Sequence, residues 1–558
     1  MNKKNDENII LENYESEFLY KKNKSNLNID FNRIAFVFFA FLIISIIYSI
    51  QLLHLGSLKS NFNEKKVLIN IKDYRADIID RNGNYLVKTV SSIDIGINPI
   101  EVIDEKKLLI NLKLIFPKKN YQAIKNKLKK KKFFYFEKKI SASNFEKIML
   151  LGDKSIKSEE RLTRIYPQKN LFSHIIGQID DDNNGISGIE KSFDQKLKQI
   201  TKPLILTVDT DIQFLVREEL IKFQNIFKSK GIAAILMNVN DGEILSMVSY
   251  PDFNLNKRQQ IEDKNYINRI TKGVYELGSV FKTFTIAAGL DAELIEPETE
   301  FLNLEKKLDC GKSTISEYDN KILSDLTVEE ILIKSGNIGS VRIGQMLEIE
   351  GLKSFLEKIG ILNKIDFDIE EVGEPIPFRW GKCKLATASF GHGITTTPLQ
   401  LAKAYAIISN GGFDIKPTLI KDKLKNNKKR IIKKSTSEAI NLILRKIVVE
   451  GTAKLANVNG YEIGGKTGTA NKTSKGEYSR KKINTFASIF PTSNPKFVLV
   501  VLMEETQINS DYIYEYRDGS GFKLKGSPRN TAGWTSVEVA GKIIEKIGPI
   551  LATKYIEN

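Results

Sequence analysis

Cysteine is almost missing from this chain: only Cys310 and Cys383 occur in 558 residues. That excludes a disulfide-dense scaffold and a Cys-rich metal module. The 73 residues between them give no ground for pairing, and two free, partly buried thiols are expected. Histidine is equally scarce. His54, His174 and His392 form no ligand cluster, so neither a metal nor another cofactor is expected. With 14 prolines and 36 glycines the chain is neither collagen-like nor of low complexity. Acidic residues are in deficit, 68 against 85 Lys and Arg, which gives a formal net charge of +17. The lysines are spread throughout and no DNA- or RNA-binding module accompanies them, so no nucleic-acid partner is expected. The densest basic run, Lys129–Lys132, precedes Phe133–Phe136 and reads as a solvated loop entering a buried strand.

Long hydrophobic runs are also absent, with one exception. No charge occurs between Arg33 and Lys59, and Ile34–Leu55 is a 22-residue run rich in Ile, Phe and Leu. That is long enough to cross a hydrocarbon core, which needs about 20 residues of helix. The run is longer than a signal-peptide core and no small-x-small cleavage site follows it, so an uncleaved anchor is expected. Lys21, Lys22, Lys24 and Arg33 before the run favour a cytoplasmic N-terminus, against a weaker set at Lys59, Lys65 and Lys66. Residues 1–33 then read as a short disordered cytoplasmic tail, 34–55 as the anchor, and everything beyond as lying across the membrane. There the basic balance suits anionic envelope polymers.

Beyond the anchor, Asn82-Gly83 between apolar flanks signals a hairpin. Short strands and helices follow to about residue 200. A strand is expected at Leu204–Val208, a helix from Asp211 to about Phe227, and a hairpin of residues 233–249 turning at Asn240-Asp241-Gly242. A helical stretch surrounds Ser279 and reaches about Ile349. Strands are expected at Thr485–Phe490 and Lys496–Met503, with a last helix at Ser536–Leu551. Strands at both ends of a helical middle give an α+β class, an antiparallel sheet covered by helices.

The most informative stretch is Tyr275–Leu290, apolar on nearly every face and therefore a buried helix. Ser279 and Lys282, three apart, share one face of it. A buried helix has little use for a lysine without a task, and a serine in a first helical turn has its N–H at the positive helix end, where an oxyanion is held. The pair reads as a serine nucleophile with a lysine base. Ser493–Lys496 has the same spacing, but Pro495 and its turn-like context argue against a helix there.

Two further patterns lie downstream. Ser335-Gly336-Asn337 puts a hydroxyl and an amide at a helix-to-turn boundary, suited to relaying a proton and gripping a peptide. Lys466-Thr467-Gly468-Thr469 follows a strand-like run; there Lys466 and Thr467 can hold a carboxylate, and Gly468 lets another backbone approach closely. Alone, Ser335 and Asn337 would make only a helix end, and Gly468 only a bulge. In order, Ser-x-x-Lys, Ser-x-Asn and Lys-Thr-Gly form a specific catalytic signature.

With these motifs the chain resembles the penicillin-binding proteins, and among them the class B, division-specific peptidoglycan D,D-transpeptidases (FtsI-type, penicillin-binding protein 3). The likeness runs from about residue 70 to about 550, through Arg75–Gly83, Arg164–Pro167, Gly188–Glu190, Thr207–Gln213, Phe390–Gly393 and Thr397–Gln400. Ala76, Gly336, Lys169-Asn170 and Thr535–Glu538 depart from the family pattern without touching its catalytic hydroxyls or lysines.

The resemblance implies an elongated mixed α/β pedestal over residues 56–200. Residues 201–558 would form a transpeptidase domain like that of the serine β-lactamases. It implies Ser279, Lys282 and Ser335 as catalytic residues. Asn337, Lys466, Thr467, Gly468 and Thr469 would bind substrate, with the N–H groups of Ser279 and Thr469 as oxyanion donors. Stem peptides ending in D-Ala-D-Ala, β-lactams, a membrane-embedded glycan polymerase and other division proteins are the implied partners. The implied location is a single-pass inner-membrane protein with its catalytic domain in the periplasm at the division site. An elongation transpeptidase, a D,D-carboxypeptidase, a serine β-lactamase and a non-catalytic scaffold or β-lactam sensor are the competing readings. The anchor and pedestal disfavour the carboxypeptidase and the β-lactamase.

Overall fold

The computed structural model describes residues 26–57, 74–257, 266–311, 313–421, 429–474 and 477–556. The expected tail up to residue 25 lies outside them. The chain divides into two compact units, residues 1–72 and 73–558. In the first, α1 (Asn26–Ser57) is a single helix whose Ile34–His54 stretch is long and apolar enough to cross a membrane. Its Phe36, Phe41 and Leu53 side chains are exposed, an arrangement that hydrocarbon accommodates and water does not.

The second unit opens on a sheet built around one long strand. β1 (Ile78–Ile79) and β2 (Tyr85–Ile97) join through the Asn82-Gly83 turn, where the Asp80 carboxylate accepts from the N–H groups of Asn82 and Asn84. β3 (Phe134–Ile140) and β4 (Ile156–Ile165) pair with β2, and β5 (Leu204–Ile205) adds to β1 in parallel. The strand expected to run on to Val208 stops at Ile205, because Leu206 and Thr207 pair instead with Ile420 and Leu419. Helices α2 (Glu105–Ile115), α3 (Tyr121–Lys129) and α4 (Ala142–Met149) close a small separate core with Ile95, Ile97 and Phe136. The Lys129–Lys132 run ends α3 and turns into β3, as expected.

A buried charge network holds this region together. The Arg75 guanidinium donates to Glu190 at 2.5 Å and to Asp194 at 2.7 Å, and Arg164 reaches the second Glu190 oxygen at 2.9 Å. Arg75 and Glu190 are both fully buried, so each depends on the other to stay charged away from water.

The larger sheet is antiparallel. α5 (Thr210–Phe227) leads into β6 (Gly231–Asn238) and β7 (Ile244–Tyr250), and the later strands are β10 (Gly464–Ser474), β11 (Glu477–Phe490) and β12 (Phe497–Glu504). Their order is β10-β11-β12-β6-β7, with β10 at an edge. β12 is buried throughout and β6 nearly so, as their unbroken apolar runs require of central strands covered on both faces. The Asp209 carboxylate caps α5 through the N–H groups of Asp211 and Ile212. Helices α10 (Pro398–Ser409), α11 (Lys434–Val449) and α12 (Ser536–Leu551) pack on the sheet together with α5. α10 starts on a Thr397/Gln400 capping box with proline at its first turn.

Between β7 and β10 the chain forms a helical lobe: α6 (Lys282–Asp291), α7 (Val328–Ile333), α8 (Asn337–Lys358, bent at Glu348) and α9 (Lys382–Ala388). The helical stretch expected to reach about Ile349 is interrupted between the end of α6 and the start of α7. There Glu300–Phe301 pairs with Leu326–Thr327, and β8 (Lys307–Cys310) pairs with β9 (Ser313–Ser316). The β8–β9 hairpin brings Cys310 to α9, and the two cysteines expected to be free are joined in a Cys310–Cys383 disulfide, Cα atoms 5.3 Å apart. The pairing depends on where a 73-residue excursion returns, which local sequence does not encode.

Arg75→Ala should cost about 3 kcal/mol or more in chemical denaturation of the full-length protein, because it removes one of the two guanidinium groups that offset the buried Glu190. Adding Glu190→Gln should not restore the stability, since it leaves the buried Arg164 guanidinium without its carboxylate.

Candidate active site

Ser279 lies in a single 3-10 turn, Gly278–Phe281, that runs straight into α6. Every residue of α6 from Lys282 to Leu290 is buried, while Ser279 itself is half-buried at a cleft. The turn is pinned from behind: Tyr405 on α10 donates to the Val280 carbonyl at 3.1 Å and meets the Thr283 hydroxyl at 2.9 Å. Close backbone approaches fix it from the front. Gly278 has φ +65°, and a Cβ there would lie 2.8 Å from the Thr469 carbonyl oxygen; one on Gly468 would lie 2.1 Å from that of Leu277. Only glycine allows edge strand β10 to lie this close to the Ser279 turn.

Behind the turn, two lysines converge on one hydroxyl. Lys282 Nζ donates to the Ser335 carbonyl at 2.5 Å and to Asn337 Oδ1 at 2.7 Å, and stands 3.1 Å from Ser335 Oγ. Lys466 Nζ, arriving from β10, is 2.8 Å from the same Ser335 Oγ. Neither lysine has any exposed surface. Burial pushes Lys282 down to about 7, against the upward pull of the Glu317 carboxylate. It pushes Lys466 well below the usual lysine range, with the Lys282 charge as a second cause. A neutral Lys282 has two N–H donors and one lone pair. The donors match the Ser335 carbonyl and Asn337 Oδ1, which leaves the lone pair for a hydroxyl proton.

Ser335 is held in an unusual place. It joins α7 to α8 with φ +58°, a left-handed conformation that a non-glycine residue rarely adopts and that costs on the order of 1 kcal/mol. The N–H groups of Ser335 and Gly336 both bond back into α7, to Leu332 and Ile331, which fixes the corner.

The cleft has a volume of about 830 Å³ and is lined by Ser279, Ser335, Asn337, Thr467 and Thr469 among others. Lys282 and Lys466 sit behind its floor, and Gly468 turns toward Leu277 rather than into the opening. The fold thus brings together all eight residues singled out in the sequence. Ser493–Lys496, the look-alike, falls in the turn between β11 and β12.

Several further cleft residues were not singled out as site residues in the sequence. The Thr452 hydroxyl lies 2.8 Å from that of Thr467. His392 stacks on Tyr478 with ring centroids 4.8 Å apart, and Arg529 pairs with Asp319 at 3.4 Å. Thr452 and Arg529 come from loops with no recognisable pattern, whereas His392 lies in the Phe390–Gly393 segment of the family likeness. Among the described residues no group of His, Cys, Asp and Glu is placed to hold a metal ion.

Residues 232–520 match the penicillin binding protein transpeptidase domain, and residues 70–219 match the penicillin-binding protein dimerisation domain. The chain is 29% identical over 506 residues to the probable peptidoglycan D,D-transpeptidase FtsI of Caulobacter vibrioides, covering 87% of this chain and 82% of that protein. It is 28% identical over 479 residues to the peptidoglycan D,D-transpeptidase FtsI of Escherichia coli (strain K12), covering 78% and 80%. A crystal structure of penicillin-binding protein 3 from Mycobacterium tuberculosis complexed with aztreonam has the same fold. Its TM-score is 0.65 at 22% identity, over 86% of this chain and 97% of that one.

Gly468→Ala should force β10 away from the Ser279 turn, because the new methyl would overlap the Leu277 carbonyl. A loss of about 1–3 kcal/mol in unfolding free energy is expected; an unchanged stability would mean that the strand and the turn are not in contact.

Proposed function

The chain belongs to the penicillin-binding protein transpeptidase family, and on that footing we propose that it is a serine D,D-transpeptidase that cross-links peptidoglycan stem peptides at the division septum. It is also a target of β-lactams. Residues 56–200 serve as its pedestal and 201–558 as its transpeptidase domain. The observation that carries the catalytic reading is the buried Lys282–Ser335–Lys466 chain, whose Ser335 lines the same cleft as the half-buried Ser279.

In this mechanism the Ser279 hydroxyl attacks the carbonyl between the last two D-alanines of a stem pentapeptide. A serine hydroxyl is a weak nucleophile until a neighbour takes its proton, and a lysine held near 7 is neutral often enough to do so. The proton returns through Ser335 to the departing D-alanine, leaving an acyl-enzyme on Ser279. Lys466 polarises Ser335 by donating to its hydroxyl, and the Lys466 N–H groups together with the Thr467 hydroxyl favour the substrate's terminal carboxylate. The backbone N–H groups of Ser279 and Thr469 stabilise the oxyanion; one such donor is worth roughly 3 kcal/mol. The outer edge of β10 pairs with the extended peptide by strand addition. Asn337 orients Lys282 and the substrate amide. An amine from a neighbouring stem peptide then displaces Ser279 and forms the cross-link, whereas a β-lactam leaves no diffusing group to make way for it.

α1 anchors the protein in the inner membrane with a cytoplasmic N-terminus, which sets the catalytic domain in the periplasm. A membrane-embedded glycan polymerase and other division proteins are its working partners, since cross-linking requires freshly made strands.

Labelled penicillin should acylate the wild-type protein at a rate that rises with pH through about 7 and then levels, as Lys282 loses its proton. Ser279→Ala should take up no label, and in dividing cells the label should gather at midcell. Labelling of Ser279→Ala, or a side-wall pattern, would contradict the corresponding part of the reading.

A further inference from the structure

Beside the Lys282–Ser335 pair stands a carboxylate that no motif marks. Glu317, just past the end of β9, accepts from the N–H groups of Asn337 and Ile338 with its two oxygens, at 2.7 and 2.8 Å. The carbonyl of its neighbour Ser316 accepts from Asn337 Nδ2 at 2.8 Å. These are the first N–H groups of α8, which lack partners inside the helix. The residue that would normally cap them from within the chain, Gly336, has no side chain to do it. Glu317 supplies the cap from 20 residues away.

A cap alone would only stabilise a helix. Here the capped residue is Asn337, held at both its main chain and its side-chain nitrogen, so that its remaining oxygen is presented to Lys282 Nζ at 2.7 Å. The hairpin that carries Glu317 has little core of its own. It packs through Ile315 on Ile338, Val341 and Ala386, in a cluster separate from the main core, and the Cys310–Cys383 bond ties it to α9.

We propose that Glu317 is a positioning residue for acylation: by gripping Asn337 it holds the Lys282 amine against Ser335, one turn from Ser279. The proposal rests on the reading of Ser279 and Lys282 as nucleophile and base. Two charged groups face Lys282, Lys466 from β10 and Glu317 from the hairpin, while Ser335 and Asn337 complete its surroundings as neutral partners. Removing the Glu317 charge therefore has two separable effects. Misplacing the amine slows acylation at every pH, and losing the negative charge destabilises the ammonium and moves the acid limb of the pH profile downward.

The test compares full-length wild type, Glu317→Gln and Glu317→Asp in detergent. Single-turnover acylation by a fluorescent penicillin is followed from acid to mildly alkaline pH, with mapping of the labelled residue and thermal unfolding of each variant. Glu317→Gln is expected to be slower by about tenfold or more at the plateau, as for a displaced catalytic group. Its acid limb should shift to lower pH, and Glu317→Asp should regain part of the rate. A Glu317→Gln protein labelled at Ser279 at the wild-type rate, with an unmoved acid limb, would overturn this proposal alone. So would a slow rate that merely follows a loss of folded protein and is not regained by Asp. A wild type not labelled at Ser279 would overturn the underlying reading, and this proposal with it.

Discussion

Two ammonium groups buried around one serine hydroxyl repel each other with little water to screen them, and among the described residues neither has a carboxylate in hydrogen-bond contact to offset its desolvation. The arrangement relieves that cost by giving up a proton, which makes a lysine available as a base near neutral pH. The rest of the site follows from this constraint. Ser335 must sit between the amines, so the chain accepts a left-handed residue at the α7–α8 corner. Lys466 must arrive from a strand, so β10 is drawn against the Ser279 turn, and glycines stand where those backbones approach.

The larger architecture keeps these pieces in register. The edge position of β10 leaves one side free for an extended peptide, while its other side is fixed to β11 along the ladder from Gly464 onward. The helical lobe contributes Lys282, Ser335 and Asn337 from two separate segments, and it is knit together by buried side chains and by the hairpin that the disulfide clamps. A lysine this deep in an apolar lobe is unstable as a cation, and the packing of α6 among α7, α8 and α11 is what makes it so.

Much of this was legible in the sequence because its signals are local. The Thr210–Phe227 helix, the β6–β7 hairpin, strands β11 and β12 and the Ser536–Leu551 helix follow from periodicity and turn chemistry. Ser279 and Lys282 stood out because a polar pair in an unbroken apolar helix has few structural uses. What stayed hidden depends on distant partners. The Cys310–Cys383 bond, the hairpins within residues 300–327 and the early end of β5 are set by where remote segments return. Thr452 and Glu317 are ordinary residues in ordinary loops until the fold gathers them.

The account stands or falls on the protonation of one amine. Titration of Lys282 in protein labelled with isotope in its lysine side chains, its resonance identified by absence from Lys282→Met, tests this directly. The account predicts a midpoint near 7 and a neutral amine through the mildly alkaline range. A resonance that stays charged to about pH 10, where an ordinary solvated lysine titrates, would contradict it.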